Sequence, residues 1–376
     1  MKEKICIVAE SYPTNDDPSF PFVQQLASSL TNIGYECFVI APQSITRILL
    51  RRVKRKKTYD LDVEHENQIK VFRPYIVTFS NTNNFCLLKV ADFFWEKAIN
   101  KCLKKIGQLE AIYCYFWHVG LKTIKSIKVD YPVFVQASEC DINIPTYLIN
   151  EKLIKKVAGV VCASSKNQEE SIRYGLTTEE DSCIIVNGYR KDEFYPIPQE
   201  KARAEYGFSQ DKFIIAFVGG FIKRKGITQL CKALDRFDDV YSIFIGKGDL
   251  FPKSKNILYA DVVQHNKIVS LLNCADIFVL PTEAEGCCNA IIEALACGLP
   301  VVSSNKKFND EILDETCSIR INEQNVDEIY NAIKQLKENR PLLTSLSEGA
   351  IEKSSSLTIE KRANKIQEYI SRRLGK

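Results

Sequence analysis

Two glutamates eight residues apart, Glu285 and Glu293, bracket the stretch Glu285-Gly-Cys-Cys-Asn-Ala-Ile-Ile-Glu293. Glu285 falls in a loop that opens with Thr282, Asn289 is suited to cap a helix, and Glu293 lies inside that helix. Eight helical steps would set the carboxylates about 12 Å apart along the axis, so the two can address one elongated ligand. The helix N-terminus between them, with Gly286, Cys287, Cys288 and Asn289, offers unpaired N–H groups and the positive end of the helix dipole. That end favours a phosphate by up to ~2 kcal/mol in a partly buried setting. Carboxylates at both ends and an anion site between them match a sugar, a diphosphate and a ribose. On spacing alone the alternative stays open: Glu285 helps to cap the helix and Glu293 sits on its solvent face.

Two earlier loops carry related chemistry. In Phe217-Val-Gly-Gly-Phe-Ile-Lys-Arg-Lys-Gly226, Gly219 and Gly220 permit close backbone approach while Lys223, Arg224 and Lys225 supply cations, a combination suited to a diphosphate. Ile245-Gly-Lys-Gly-Asp249 adds the backbone of Gly246 and Gly248, or is simply a tight turn that other residues cannot adopt. Polar candidates in the first half are His118, after the run Ala111–Trp117, and Glu139 and Asp141, after Val133–Gln136. Between Arg47 and Lys57 lie Arg47, Arg51, Arg52, Lys54, Arg55, Lys56 and Lys57, with no acidic residue and with Ile48, Leu49, Leu50 and Val53 interspersed. A solvated loop is one reading. The other is a peripheral contact with an anionic membrane surface, where each cation contributes roughly 1 kcal/mol.

These residues need a scaffold that brings separate loops to one edge. Short runs rich in Val, Ile and Phe alternate with helical patterns, the sign of βαβ units around a parallel sheet, so the chain reads as α/β. Strands are expected at Lys4–Ala9, Glu36–Ala41, Lys70–Phe72, Ala111–Tyr115, Val133–Gln136, Gly159–Ala163 and Ser182–Val186, enough for one sheet. A second series follows at Phe213–Val218, Tyr241–Ile245, Ile257–Tyr259, Ile277–Leu280 and Pro300–Ser303. Helices are expected at Phe22–Ile33 and Val90–Ile106 in the first series, and at Thr228–Phe237, His265–Asn273, Ala290–Ala296 and Val326–Glu338 in the second. Gly188, Pro196 and Pro198 break the pattern between the two series. The division is therefore an N-terminal Rossmann-like domain over 1–186, a linker over 187–204, and a C-terminal Rossmann-like domain over 205–357, to which the resemblance stated below assigns acceptor binding and donor binding in turn. A last amphipathic helix over 358–376 is expected to pack back on the first domain. In open α/β sheets ligands sit at the carboxyl ends of the strands, where all three glycine loops emerge.

Bulk properties narrow the class. At 376 residues, 45% hydrophobic and 26% charged, the chain suits two globular domains. The net charge of +4 argues against nucleic acid as the main partner. Fourteen cysteines are scattered singly through apparent core runs of a chain whose start, MKEKICIVAESYP, lacks the apolar region of a signal peptide. Reduced thiols and a cytoplasmic location follow, with the basic segment placing the protein at the inner face of the membrane. With three histidines, His65, His118 and His265, and no second cysteine pair at zinc spacing, no metal is expected. A dinucleotide oxidoreductase would need G-x-G-x-x-G after the first strand, and Ala9–Phe22 holds no glycine.

EGCCNAIIEALACGLPVV resembles the paired-glutamate motif of family 4 retaining glycosyltransferases of the GT-B fold, especially those of capsular and exopolysaccharide assembly. YPTNDDPSFPFVQQLASSLTNIGYECFVIAP resembles that family's opening strand, loop and helix. IIVNGYRKDEFYP resembles its interdomain signature, VGGFIKRKGI its phosphate loop, and CADIFVLPT the strand before the glutamates. The resemblance implies two Rossmann-like domains facing across a cleft and a nucleoside-diphosphate-sugar donor, with no metal or other cofactor. It implies sugar contacts by Glu285, ribose contacts by Glu293, diphosphate neutralisation by Lys225 and Arg224, and His118 and Asp141 near the transfer point. The acceptor is a glycan, lipid-linked in the polysaccharide-like members. The chain departs from the family at Gly220 and Arg190, where arginine and aspartate are common, and at Pro18, Ser19, Phe20 and Pro21, which stand in place of paired glycines. A GT-B-fold sugar-nucleotide epimerase and a non-catalytic GT-B-like partner protein are the alternatives.

Overall fold

The computed structural model describes residues 2–14, 20–50, 69–79 and 84–376. Contacts divide the chain into two units: residues 1–163, 167–185 and 363–376, and residues 164–166 and 186–362.

The first unit is built on strands β1 (Lys4–Val8), β2 (Glu36–Ile40), β3 (Lys70–Phe72), β4 (Ala111–Tyr115), β5 (Val133–Ala137), β6 (Val157–Cys162) and β7 (Ser182–Ile184). They form one sheet in the order β3-β2-β1-β4-β5-β6-β7, and every neighbouring pair is parallel. Helices cover both faces of such a sheet, so its central strands read as unbroken apolar runs; all five residues of β4 are buried. Pro21–Asn32, Phe85–Ile106 and Trp117–Ser126 are the main helices.

The second unit repeats the plan with β8 (Phe213–Val218), β9 (Val240–Ile245), β10 (Ile257–Asp261), β11 (Ile277–Leu280), β12 (Val301–Ser304) and β13 (Ser318–Ile321). Their order is β10-β9-β8-β11-β12-β13, again all parallel. In both units the chain winds outward from a first strand, returns to the middle and winds the other way. The carboxyl ends of the two strands at that reversal, β1 and β4 or β8 and β11, are the topological switch point where ligands bind in open α/β sheets.

The C-terminal helix, Ile359–Arg373, packs on the first unit from residue 363 onward: Ala363, Ile366, Tyr369 and Ile370 share a core with Tyr113 and Phe134. The Tyr369 hydroxyl donates to the Asp181 carbonyl at 2.7 Å and accepts from the Val160 N–H at 3.1 Å, tying the helix to β6.

Several elements escaped the sequence reading. The interval taken as linker ends in a helix, Gln199–Tyr206, that buries Arg203. Its guanidinium meets Asp276 at 2.8 Å and the Cys274 carbonyl at 2.9 Å, so a residue that looks like a surface charge is an internal strut. β13 is short and contains Arg320, and helix Arg340–Ser355 carries Gly349 and several serines, which blur the helical period. That helix starts at Asn339, whose side chain accepts from the Leu342 N–H at 3.1 Å. Trp117 begins a helix instead of extending β4, because Phe116 turns the chain at φ 77°. All fourteen cysteines are free thiols.

Tyr369→Phe removes the hydroxyl from the Asp181 carbonyl and the Val160 N–H, which still bond to each other at 2.9 Å, and is expected to cost about 0.5–1.5 kcal/mol. Thermal unfolding compared with the parent chain checks this, and an unchanged midpoint contradicts the role given to the hydroxyl.

Candidate functional site

The densest cluster lies at the switch point of the second unit. The loop after β8 carries Lys223–Lys225 in a single 3-10 turn, and the loop after β11 carries Thr282–Glu285. Because β8 and β11 are adjacent, the two loops meet: Glu283 N–H donates to the Arg224 carbonyl at 2.8 Å. The side chains follow. Lys225 Nζ sits 2.5 Å from Glu285 Oε1, Arg224 Nη1 lies 3.5 Å from Glu285 Oε2, and the Thr282 hydroxyl donates to Glu285 Oε1 at 2.8 Å. Arg224 Nη1 also donates to the Ala284 carbonyl. Glu285 is 9% exposed, so this carboxylate is stable there only because two cations and a hydroxyl surround it. Burial acts to lower the Lys225 pKa, but the ion pair with Glu285 outweighs it and holds the ammonium above its ordinary value.

The glycines make this approach possible. Gly226 has φ 70°, and a Cβ there would stand 1.9 Å from the Pro281 carbonyl oxygen at the end of β11. Gly246 has φ 153°, and its Cβ would meet the Gly219 carbonyl oxygen at 1.9 Å. The Gly219 and Gly248 loops are laced together through Phe221 N–H to the Lys247 carbonyl (2.9 Å) and Leu250 N–H to the Phe221 carbonyl (2.9 Å). Gly220 is under no such demand: its Cβ would find ordinary contacts at 3.8 Å.

Beyond Gly286, helix Asn289–Ala296 has Cys288 and not Asn289 at its N-cap, and no side chain caps it. The Asn289 side chain instead accepts a 2.8 Å bond from the Asn187 amide. The residues from Glu285 to Cys288 are not helical, so the 12 Å axial spacing expected from eight helical steps does not apply. Burial pushes the Cys287 and Cys288 thiols up to about 12, so at neutral pH they bring no negative charge beside Glu285. Glu293 is partly buried on this helix. Burial pushes its carboxyl up to about 7; His265 draws it back down and Glu193 adds to the rise. His265 is held by Glu193 at 3.3 Å, which raises its pKa, and Arg190 in turn pairs with Asp192 at 2.6 Å and with Glu193 at 3.2 Å.

The first unit has its own cluster at its switch point. His118, in the first turn after β4, meets Glu10, just after β1, at 3.0 Å, and this bond lowers the Glu10 pKa. The His118 ring stacks on Phe116, with centroids 6.2 Å apart and planes at 16°. Glu139 is not free for chemistry: its Oε1 accepts from the Trp117 N–H at 2.6 Å and its Oε2 from the Ser138 N–H at 2.9 Å, capping the helix that carries His118. Burial raises its pKa despite these bonds. Asp141 is exposed and pairs with nothing among the described residues. Of the basic segment, Arg47 is seen in helix Ile45–Leu49, followed by exposed Leu49 and Leu50. Arg51, Arg52, Lys54, Arg55, Lys56 and Lys57 lie outside the described residues, as do Pro18 and Ser19.

Four participants were not singled out in the sequence: Thr282, Glu10, Glu193 and His265 as a neighbour of Glu293. Thr282 stands three residues before Glu285, a spacing that could have flagged it. Glu10 and Glu193 reach their partners over 108 and 72 residues, beyond any local signal. Among the described residues no three His, Cys, Asp or Glu side chains gather as metal ligands, and no helix is long and apolar enough to cross a membrane.

Residues 198–353 match the family described as Glycosyl transferases group 1. Across 325 residues the chain is 25% identical to TuaC of Bacillus subtilis (strain 168), named as a glycosyltransferase of teichuronic acid biosynthesis; the match covers 80% of this chain and 81% of TuaC. Among solved structures, sucrose-phosphate synthase from Thermosynechococcus elongatus superposes with a TM-score of 0.76 at 17% identity, covering 100% of this chain and 99% of that one. The Anabaena HepE protein, in complex with UDP, gives 0.73 at 16% identity, covering 98% and 100%.

A carboxyl whose pKa rises on folding, from 4.5 to about 7 at Glu293, stabilises the fold fully below the lower value, and that contribution is lost as pH rises through the upper one. Glu293→Gln is therefore expected to stabilise the protein more at pH 8 than at pH 5, by about 2–3 kcal/mol. Melting midpoints of both proteins at the two pH values check it, and an equal difference at both refutes it.

Proposed function

We propose that this chain, whose residues 198–353 match the group 1 glycosyltransferase family and whose fold is GT-B, transfers a hexosyl group from a nucleoside diphosphate to a glycan acceptor. In this reading transfer retains the anomeric configuration, needs no metal, and serves bacterial surface polysaccharide or glycolipid synthesis. The observation that carries the proposal is the convergence of Lys225, Arg224 and Thr282 on Glu285 at the switch point.

The chemistry follows from the charges. When the bond from the anomeric carbon to the phosphate oxygen breaks, negative charge grows on the diphosphate. Lys225 and Arg224, held in place by Glu285, already face the site where that charge develops, and the uncapped helix start at Asn289 adds N–H groups. Glu285 accepts from hydroxyls of the donor sugar, which lets it release part of its hold on Lys225 to the phosphate. Glu293 takes the ribose diol, with Gly219, Gly220, Gly246, Gly248, Gly286, Cys287 and Cys288 lining the backbone path of the donor. HepE, solved with UDP, makes a uridine diphosphate sugar the first donor to try. His118 and Asp141 serve the acceptor. A lipid-linked acceptor and an anionic membrane surface suit the basic segment from Arg47 to Lys57 and the exposed Leu49 and Leu50 beside it.

Thermal unfolding with UDP, GDP, ADP and their sugars in EDTA is the direct test. A ligand at 100 times its Kd adds roughly 2.7 kcal/mol, and Glu293→Ala weakens the gain. No stabilisation by any nucleotide overturns the donor site, and sugar-nucleotide turnover without acceptor turns the reading into an epimerase. Lys225→Met is expected to lower kcat by about 10²–10³ in a transfer assay. A loss confined to KM would show that Lys225 binds ground state and transition state alike.

A further inference from the structure

A cavity of about 420 Å³ opens in the first unit between helix Phe85–Ile106 and the segment from Phe72 to Tyr75. Its volume falls in the range of small-molecule sites. Its wall is mostly apolar, with Phe72, Tyr75, Phe94 and Cys102, and burial pushes the Cys102 thiol up to about 11, so that group is uncharged. The polar part of the lining is of one sign. Lys97, Lys101 and Lys105 recur every four residues, so they form a row along one face of the helix, about 6 Å per step. Among the described residues, no acidic side chain lines the cavity.

The helix has two acidic residues, and both are engaged elsewhere. Asp92 pairs with Lys122 at 3.6 Å and Lys125 at 2.7 Å, and Glu96 pairs with Lys128 at 3.6 Å. Among the described residues, Lys97 and Lys101 have no carboxylate partner; Lys97 lies over the Phe93 ring at 4.4 Å. One turn before this row, Val90, Phe93 and Phe94 are 42%, 51% and 39% exposed. An apolar surface that leads into a trough edged by Lys97 and Lys101 complements a molecule with an apolar tail and an anionic head.

We propose that this cavity binds one anionic amphiphile, its chain along Phe72, Tyr75 and Phe94 and its phosphate-type head at Lys97 and Lys101. The site belongs to the first unit alone and does not depend on the donor-site reading. The amphiphile is a membrane lipid or a lipid-borne substrate, and the chemistry that selects it is the same in either case: a phosphate ester attached to an aliphatic chain.

Calorimetric titration of the full chain with dihexanoyl phosphatidylglycerol below its micelle concentration tests this, beside dihexanoyl phosphatidylcholine and inorganic phosphate. The expected result is phosphatidylglycerol binding at least tenfold tighter than either comparison ligand. K97Q/K101Q should weaken it at least tenfold, and Glu285→Gln should leave it unchanged. Phe94→Ser, at an exposed position, is the second arm: it should weaken the lipid at least tenfold and leave any binding of inorganic phosphate as it was. Equal affinity for the two lipids shows that the lysines select nothing and overturns the proposal. Equal affinity for inorganic phosphate shows that the trough is unused and also overturns it, as does undiminished binding by both variants.

Discussion

In each of the two parallel sheets the chain reverses its direction of winding once, and the sites of interest depend on that reversal. A crossover helix covers the sheet face beside the strands it joins. At the reversal the connections depart to opposite sides, so the carboxyl ends of two neighbouring strands stay uncovered and the loops that follow them face each other. In the second unit those loops bring Lys225 and Arg224 onto Glu285, from positions 60 residues apart. In the first unit they bring Glu10 onto His118 across 108 residues. The same sheet order therefore produces a charged cluster twice, with different residues each time.

What the clusters can do depends on how burial treats charge. A carboxylate as enclosed as Glu285 is tolerable only with partners, and removing one of them leaves an uncompensated charge, so its cations are held in position before any substrate group arrives. Glu293, on the neighbouring helix, has no ion pair among the described residues, and burial pushes its carboxyl up to about 7. The thiols between them stay neutral. Along Glu285–Glu293 the two carboxylates thus have different surroundings: Glu285 is ringed by Lys225, Arg224 and Thr282, whereas burial dominates at Glu293.

Backbone conformation concentrates at these places as well. Phe20 and Phe116 adopt φ of 63° and 77°, conformations that cost a bulky residue of order 1–3 kcal/mol unless the surroundings hold them. Ring contacts do so: Phe20 with Phe22 at 5.4 Å and with Phe116 at 6.3 Å, and Phe22 with Tyr115 at 5.2 Å. The kink at Phe116 ends β4 and starts the next helix at Trp117, whose N–H receives the Glu139 cap. His118 thereby sits within the first turn, where its ring can reach Glu10.

The sequence alone determined the strands and the glycine loops, because buried parallel strands are continuous apolar runs and turns with positive φ favour glycine; both signals are local. All seven strands of the first sheet and five of the six in the second were legible in this way, with β13 hidden because Arg320 breaks its apolar run. The paired glutamates were legible too, through their spacing and their resemblance to a family motif. The N-cap at Cys288 instead of Asn289, the burial of Arg203, the capping role of Glu139 and the approach of His265 to Glu293 were decided only by the tertiary structure. Each of these rests on a partner tens of residues away or on the local degree of burial, and hydrogen bonding and desolvation depend on distance in space, which a linear pattern of residue types does not encode.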